Sequence, residues 1–135
     1  MILIDGKRTA NEIVEELKPR TAAFEQKYGK KAGLAVVLIG NDPASAVYVR
    51  NKIKKCAEAG IASFSHYLPA ETSQKEAEEL LEALAADSSV HGILVQLPLP
   101  AHLNADRILA KIPAHKDVDG FCAENMGKLA LKEEG

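Results

Sequence analysis

The sequence predicts an α/β fold in three layers, a mostly parallel sheet with helices on both faces. Three observations lead there. Strand and helix signals alternate about four times along the chain. The strand segments, above all Leu34–Ile39, are nearly unbroken apolar runs of the kind buried on both faces. Right-handed crossovers between parallel strands then place the intervening helices on both sides of the sheet.

In order, Ile2–Ile4 reads as a short strand and Asp5-Gly6-Lys7 as a turn. A helical pattern runs from Thr9 to Tyr28, with Ile13, Leu17, Phe24 and Tyr28 on one stripe. Pro19 lies inside it, but the stripe keeps its phase, so a kinked single helix is expected. Gly29 ends it. After Leu34–Ile39, Gly40-Asn41-Asp42-Pro43 turns the chain into a second helix, with Asp42 as its cap and Pro43 at its first position. Gly60 supplies a left-handed stop. At about 100° per residue, Ala46, Val49, Ile53 and Ala57 form the inward face, Ser45, Tyr48, Lys52 and Cys56 the adjoining strip, and Arg50, Lys54 and Glu58 the solvent face.

Ala62–Leu68 is the next strand. Ser73-Gln74-Lys75-Glu76 is a capping box that opens a helix to Ala86, with Ala77, Leu80, Leu81 and Leu84 inward. His91–Gln96 is a further buried strand running into Leu97-Pro98-Leu99-Pro100, where the prolines stiffen the chain and either preceding bond has access to the cis form. Asn104 caps a short helix carrying Ile108, Leu109 and Ile112. A polar loop, Pro113–Phe121, precedes a last short helix over Glu124–Leu131.

The 135 residues suit one domain with its own core, and 47% apolar with 27% charged residues is an ordinary globular composition. A net charge of -2 gives no reason to expect nucleic acid or an acidic membrane surface as partner. Two cysteines, Cys56 and Cys122, fit a reducing compartment. The start is too quickly polar for a signal peptide, and no apolar run approaches a membrane span, so a cytoplasmic protein is expected. The four histidines have no ligand spacing and read as structural or surface residues. No Gly-rich phosphate loop or nucleophile elbow is present.

Ligands of such sheets bind beyond the carboxyl ends of the strands. The start of the second helix, the Gln96–Pro100 loop and the Asp119 loop all fall at that edge. Lys52 sits one turn beyond Tyr48, on the rim of the apolar face, where partial desolvation lowers a lysine's proton affinity. A neutral amide such as Gln96 can orient that amine without fixing its charge, leaving it free to exchange protons. The alternative for Gln96 is satisfying backbone groups at a strand end. Asp117 and Asp119 can bind a metal, cap a turn, or accept two hydrogen bonds from an amidine-like edge, the metal being the weakest reading.

Four segments go further: Asp42-Pro43-Ala44-Ser45-x-x-Tyr48-Val49-x-x-Lys52-x-Lys54, Gly60-Ile61, Gly92–Pro100 with its Gln96-Leu97-Pro98-Leu99-Pro100 end, and Lys116-Asp117-Val118-Asp119-Gly120-Phe121. In this order and spacing they resemble the bifunctional methylenetetrahydrofolate dehydrogenase/cyclohydrolase (FolD) family over most of the chain. The resemblance implies oxidation of methylenetetrahydrofolate with NADP and hydrolysis of the methenyl product to formyltetrahydrofolate, in one-carbon metabolism. It implies Lys52 as catalytic acid/base, Tyr48 stacked on the folate ring, Gln96 tuning Lys52, and Asp119 holding the amino-pyrimidine edge. Ser45, Val95, Leu97 and Pro98 complete the implied substrate-binding set. It also implies a homodimer for the full-length protein.

On the same resemblance, residues 1–120 form the catalytic domain and 121–135 begin the linker to a nucleotide-binding domain that this chain lacks. The chain alone is then expected to show no dehydrogenase turnover, and the hydrolytic cleft lacks one wall. Phe121-Cys122-Ala123-Glu124 departs from the family's histidine–proline at that point. A competing expectation is a non-catalytic α/β ligand-binding or interaction module that keeps the fold.

Overall fold

The computed structural model describes residues 5–133, so the expected strand Ile2–Ile4 lies outside the described residues. Asp5 is not in a turn. Its carboxylate accepts the Arg8 amide at 3.0 Å, capping helix α1, Gly6–Tyr28. The helix starts three residues before the expected Thr9 because a cap needs only local partners. Pro19 is accommodated within this one helix, and Gly29, at φ 68°, ends it. Only Val14, Leu17, Thr21 and Phe24 of α1 are half-buried; Ile13 and Tyr28 are exposed. The stripe was expected to include both, but α1 touches its neighbours along a narrow line. The Thr21 hydroxyl donates to the Ala59 carbonyl at 2.7 Å, and Phe24 meets His91 edge-on at 5.1 Å.

The sheet contains β1 (Gly33–Ile39), β2 (Ala62–Leu68) and β3 (Gly92–Val95), all parallel, in the order β2-β1-β3. The central β1 is almost wholly buried, as its unbroken apolar run requires. Its two faces feed two cores. Ala35, Val37 and Ile39 join Ile93 and Val95 beneath α3 (Gln74–Ala86) and α4 (Ala105–Leu109), which contribute Ala77, Leu81, Leu84 and Ile108. Val36, Leu38 and Leu94 face α2 (Pro43–Glu58), which contributes Val49 with Ala46 and Ile53. Helices therefore cover both faces. Ala57, expected inward, is exposed.

The caps form as read. Asp42 accepts the Ser45 amide at 2.7 Å, Ser73 and Glu76 form a reciprocal box, and Asn104 accepts the Arg107 amide at 2.9 Å. A 3-10 turn at Ala114–Lys116 precedes α5 (Ala123–Leu131). No described helix is long and apolar enough to cross a membrane.

Leu81 is fully buried at the centre of the larger core. Leu81→Ala should lower unfolding stability by about 3 kcal/mol, whereas Ala57→Ser should be near neutral. Urea denaturation with an unchanged m-value checks both.

Candidate functional site

β1 and β3 are neighbours, and α2 follows β1, so the inner edge of α2 and the end of β3 meet. Gln96 is the first residue beyond β3, and its amide still donates to Val37 O at 2.9 Å, which fixes its backbone to the sheet. Its side chain is held at both ends. Gln96 Nε2 donates to Leu97 O at 2.7 Å, which leaves Oε1 facing α2, where Lys52 Nζ donates to it at 3.2 Å. The first contact fixes which end of the amide faces the lysine. Lys52 is half-buried, and its hydrogen-bond partner is a neutral amide, with no carboxylate within salt-bridge reach among the described ion pairs.

The other wall is the loop after the 3-10 turn. Its two aspartates have different environments. Asp117 Oδ1 accepts the Gly120 amide at 3.0 Å, and Oδ2 accepts the Cys122 amide at 2.8 Å and Asn125 Nδ2 at 3.1 Å. Burial acts to raise its pKa, but the hydrogen bonds from Cys122 and Asn125 prevail and hold the carboxyl below the ordinary range. Asp117 therefore organises the turn. Asp119 has no such partners among the described hydrogen bonds. It is exposed as a residue, yet the surrounding protein excludes enough water to raise its pKa; the Lys52 charge opposes this and the Asp117 charge adds to it. The Lys52 charge thus acts on Asp119, and the same amine donates to Gln96.

The remaining candidates are placed as follows. Tyr48 is exposed, one turn before Lys52 on α2. Leu97 is half-buried and Pro98 exposed, joined by a cis peptide bond. Gly40, at φ 94°, takes a backbone conformation that favours glycine at the end of β1, where Pro100 is its neighbour. Ser45 and Val95 are each 2% exposed, one inside the α2 cap and the other in the larger core, so neither presents its side chain at the surface. A cavity of about 460 Å³ adjoins Asp119 and runs under α5, lined also by His115, Asn125 and Lys128. Lys52 and Gln96, both half-buried, do not line it. No cluster of metal-binding type occurs among the described residues.

Two contacts around this loop escaped sequence reading. Lys116 is buried, and its ammonium reaches the last carbonyls of α3. Asn125 ties α5 back to Asp117. The available signal for Lys116 was indirect: α3 has no basic residue in its last turn to meet its free carbonyls.

The family described as tetrahydrofolate dehydrogenase/cyclohydrolase, catalytic domain, matches residues 4–119. The bifunctional protein FolD of Oleidesulfovibrio alaskensis is 53% identical over 131 residues, 97% of this chain and 46% of the relative. Bifunctional protein FolD 2 of Sinorhizobium medicae is 52% identical over 128 residues, 95% of this chain and 43% of the relative. A crystal structure of the bifunctional FolD methylenetetrahydrofolate dehydrogenase/cyclohydrolase from Campylobacter jejuni superposes with a TM-score of 0.95 at 47% identity, covering 100% of this chain and 48% of that one. The Trypanosoma brucei methylenetetrahydrofolate dehydrogenase-cyclohydrolase, solved with NADP and an inhibitor, gives 0.94 at 36% identity, covering 99% of this chain and 46% of that one. The chain spans about half the length of the curated relatives it matches.

The two aspartates should behave oppositely. Asp117→Ala removes acceptors of two backbone amides and should cost about 2 kcal/mol. Because the folded-state pKa of Asp117 is depressed, its contribution is present above the ordinary carboxylate value and lost as pH falls through the depressed one. Asp119→Asn should stabilise the fold at neutral pH, because ionising Asp119 is disfavoured there. That gain should vanish as pH falls through its raised pKa to the ordinary value. Thermal melts between neutral and acid pH check both signs.

Proposed function

The chain belongs to the tetrahydrofolate dehydrogenase/cyclohydrolase family, and from that premise we propose that it is the folate-binding, catalytic half of an enzyme oxidising methylenetetrahydrofolate and hydrolysing the methenyl product. The observation that carries this reading is the 3.2 Å hydrogen bond from Lys52 to Gln96. A neutral amide orients the lysine without adding a charge beside it, which suits a group that passes a proton.

Asp119 accepts two hydrogen bonds from the amino-pyrimidine edge of the pterin, for which its carboxylate is unpartnered. Tyr48 offers a flat, exposed face to the ring system. In the hydrolysis, water adds to the cationic amidinium carbon and a C–O bond forms. Lys52, as the amine, takes the proton released from that water. The ammonium then returns it to the folate nitrogen whose C–N bond breaks. The remaining hydroxyl proton leaves to solvent as the adduct collapses to the formyl product, which is the net proton of the reaction.

NADP is the oxidant that the family implies, and the described residues do not fit it. Phosphate would need a helix start with free amides, yet α2 is closed by Asp42 and α3 by Ser73 and Glu76. Both acidic side chains repel phosphate. No hydride step is therefore assigned to these residues, whose part in the oxidation is to hold and orient the folate. The same reading includes residues 1–120 as the folate-binding unit, residues 121–135 as its connection to a nucleotide-binding domain, and a cytoplasmic homodimer of the longer protein.

Joining this chain to the remainder of a full-length relative permits the test. Lys52→Met should lower methenyltetrahydrofolate hydrolysis by at least about 100-fold while tetrahydrofolate still binds; normal hydrolysis would remove the catalytic role. Asp119→Ala should weaken tetrahydrofolate binding by about tenfold or more, the worth of a charged hydrogen bond, with the fold intact. Unchanged affinity in a calorimetric titration would remove its pterin role.

A further inference from the structure

Lys116 is one of three buried polar or charged residues in the described chain, at 8% exposure. Its ammonium meets backbone carbonyls only: Ala85 O and Asp87 O at 2.8 Å each, and Leu84 O at 3.4 Å. Three donors meet three acceptors, so the group is fully satisfied. Those carbonyls are the open end of α3, where a cation complements the helix dipole and α3 supplies none of its own. The contact spans about thirty residues of sequence, and Lys116 stands three residues before Asp119.

Two further features brace the same segment against the sheet. Asp117 makes an isolated parallel bridge to Ile93. At Gly92 the missing side chain admits Val118, whose Cγ1 would lie 2.5 Å from any Cβ there. Both hold the backbone beside β3. Among the described hydrogen bonds, those of Lys116 alone tie it to the end of α3, on the far side from Lys52.

We propose that Lys116 is a positioning residue for substrate, fixing Asp119 at the folate site by anchoring its loop to the end of α3. This rests on the reading of Asp119 as the pterin-binding carboxylate. The action is geometric: the charges acting on Asp119 are those of Lys52 and Asp117, not that of Lys116. Lys116→Met keeps the length of the side chain, removes its donors and leaves three carbonyls without a partner. The loop then loses its anchor to α3, and Asp119 moves out of register with Gln96 and Lys52.

The test is a double-mutant cycle on tetrahydrofolate affinity, joined to a ligand-free measurement on the chain itself. Lys116→Met should weaken tetrahydrofolate about tenfold, and in the Asp119→Ala background it should weaken it no further. Full additivity of the two substitutions would overturn the proposal, because a purely structural lysine would act independently of Asp119. The carboxyl carbon of Asp119, titrated by NMR without ligand, should move from its raised pKa toward the ordinary carboxylate value in Lys116→Met. An unmoved titration in a folded variant would also overturn it. If Lys116→Met does not fold, Lys116→Gln, which keeps two donors, is judged by the same shifts at smaller amplitude. If Asp119→Ala leaves tetrahydrofolate affinity unchanged, the folate reading of Asp119 has failed, and the NMR titration alone decides whether Lys116 positions that carboxyl.

Discussion

The hydrogen bond between Lys52 and Gln96 depends on the whole topology. The two residues are 44 positions apart, one on a helix and one past a strand. They meet because β3 crosses over to pair with β1 in parallel, which brings the end of β3 beside the helix that follows β1. The two cores serve that meeting. The smaller one seats α2 through Val49, and the larger one seats β3 through Ile93 and Val95. Gln96 is further fixed by Leu97 O, so its acceptor oxygen cannot turn away from the amine without losing a second contact.

Electrostatics then divides roles that the residue types alone leave equal. Asp117 and Asp119 are chemically identical and two residues apart. One is held ionised by surrounding donors and shapes the turn. The other is partly desolvated, accepts no hydrogen bond among the described residues, and has its pKa raised. A partly desolvated carboxylate that accepts no hydrogen bond among the described residues costs stability, and the Lys52 charge only partly offsets that. The helix starts show the converse, since Asp42 and Glu76 close the amides that an anion would need.

Much of the fold was legible because its signals are local. A cap is decided within three or four residues, so Asp42, Ser73 with Glu76, and Asn104 were readable from spacing alone. The buried strand β1 was readable because burial on both faces leaves no polar position. Periodicity proved weaker where it had to predict the extent of contact. It gives the direction of a helix face but not the size of the surface opposite, which is why Ile13, Tyr28 and Ala57 are exposed. Asp5-Gly6 misled for a related reason, because the same residues that favour a turn also favour a cap. At the site, Lys52 and Gln96 were brought together on topology, whereas the burial of Lys116 and the tie from Asn125 to Asp117 arise from contacts that no spacing encodes.

The neutrality of the amide facing Lys52 is the centre of this account, and one substitution changes that feature while keeping its size. Methenyltetrahydrofolate hydrolysis would be followed against pH for the parent and for Gln96→Glu, each joined to the remainder of a full-length relative. A carboxylate at that position stabilises the ammonium, so the rising limb of the profile should move to higher pH, with activity lost at neutrality. A profile that stays in place would show that the amide does not set the lysine's proton exchange, and the mechanism built on the pair would be wrong.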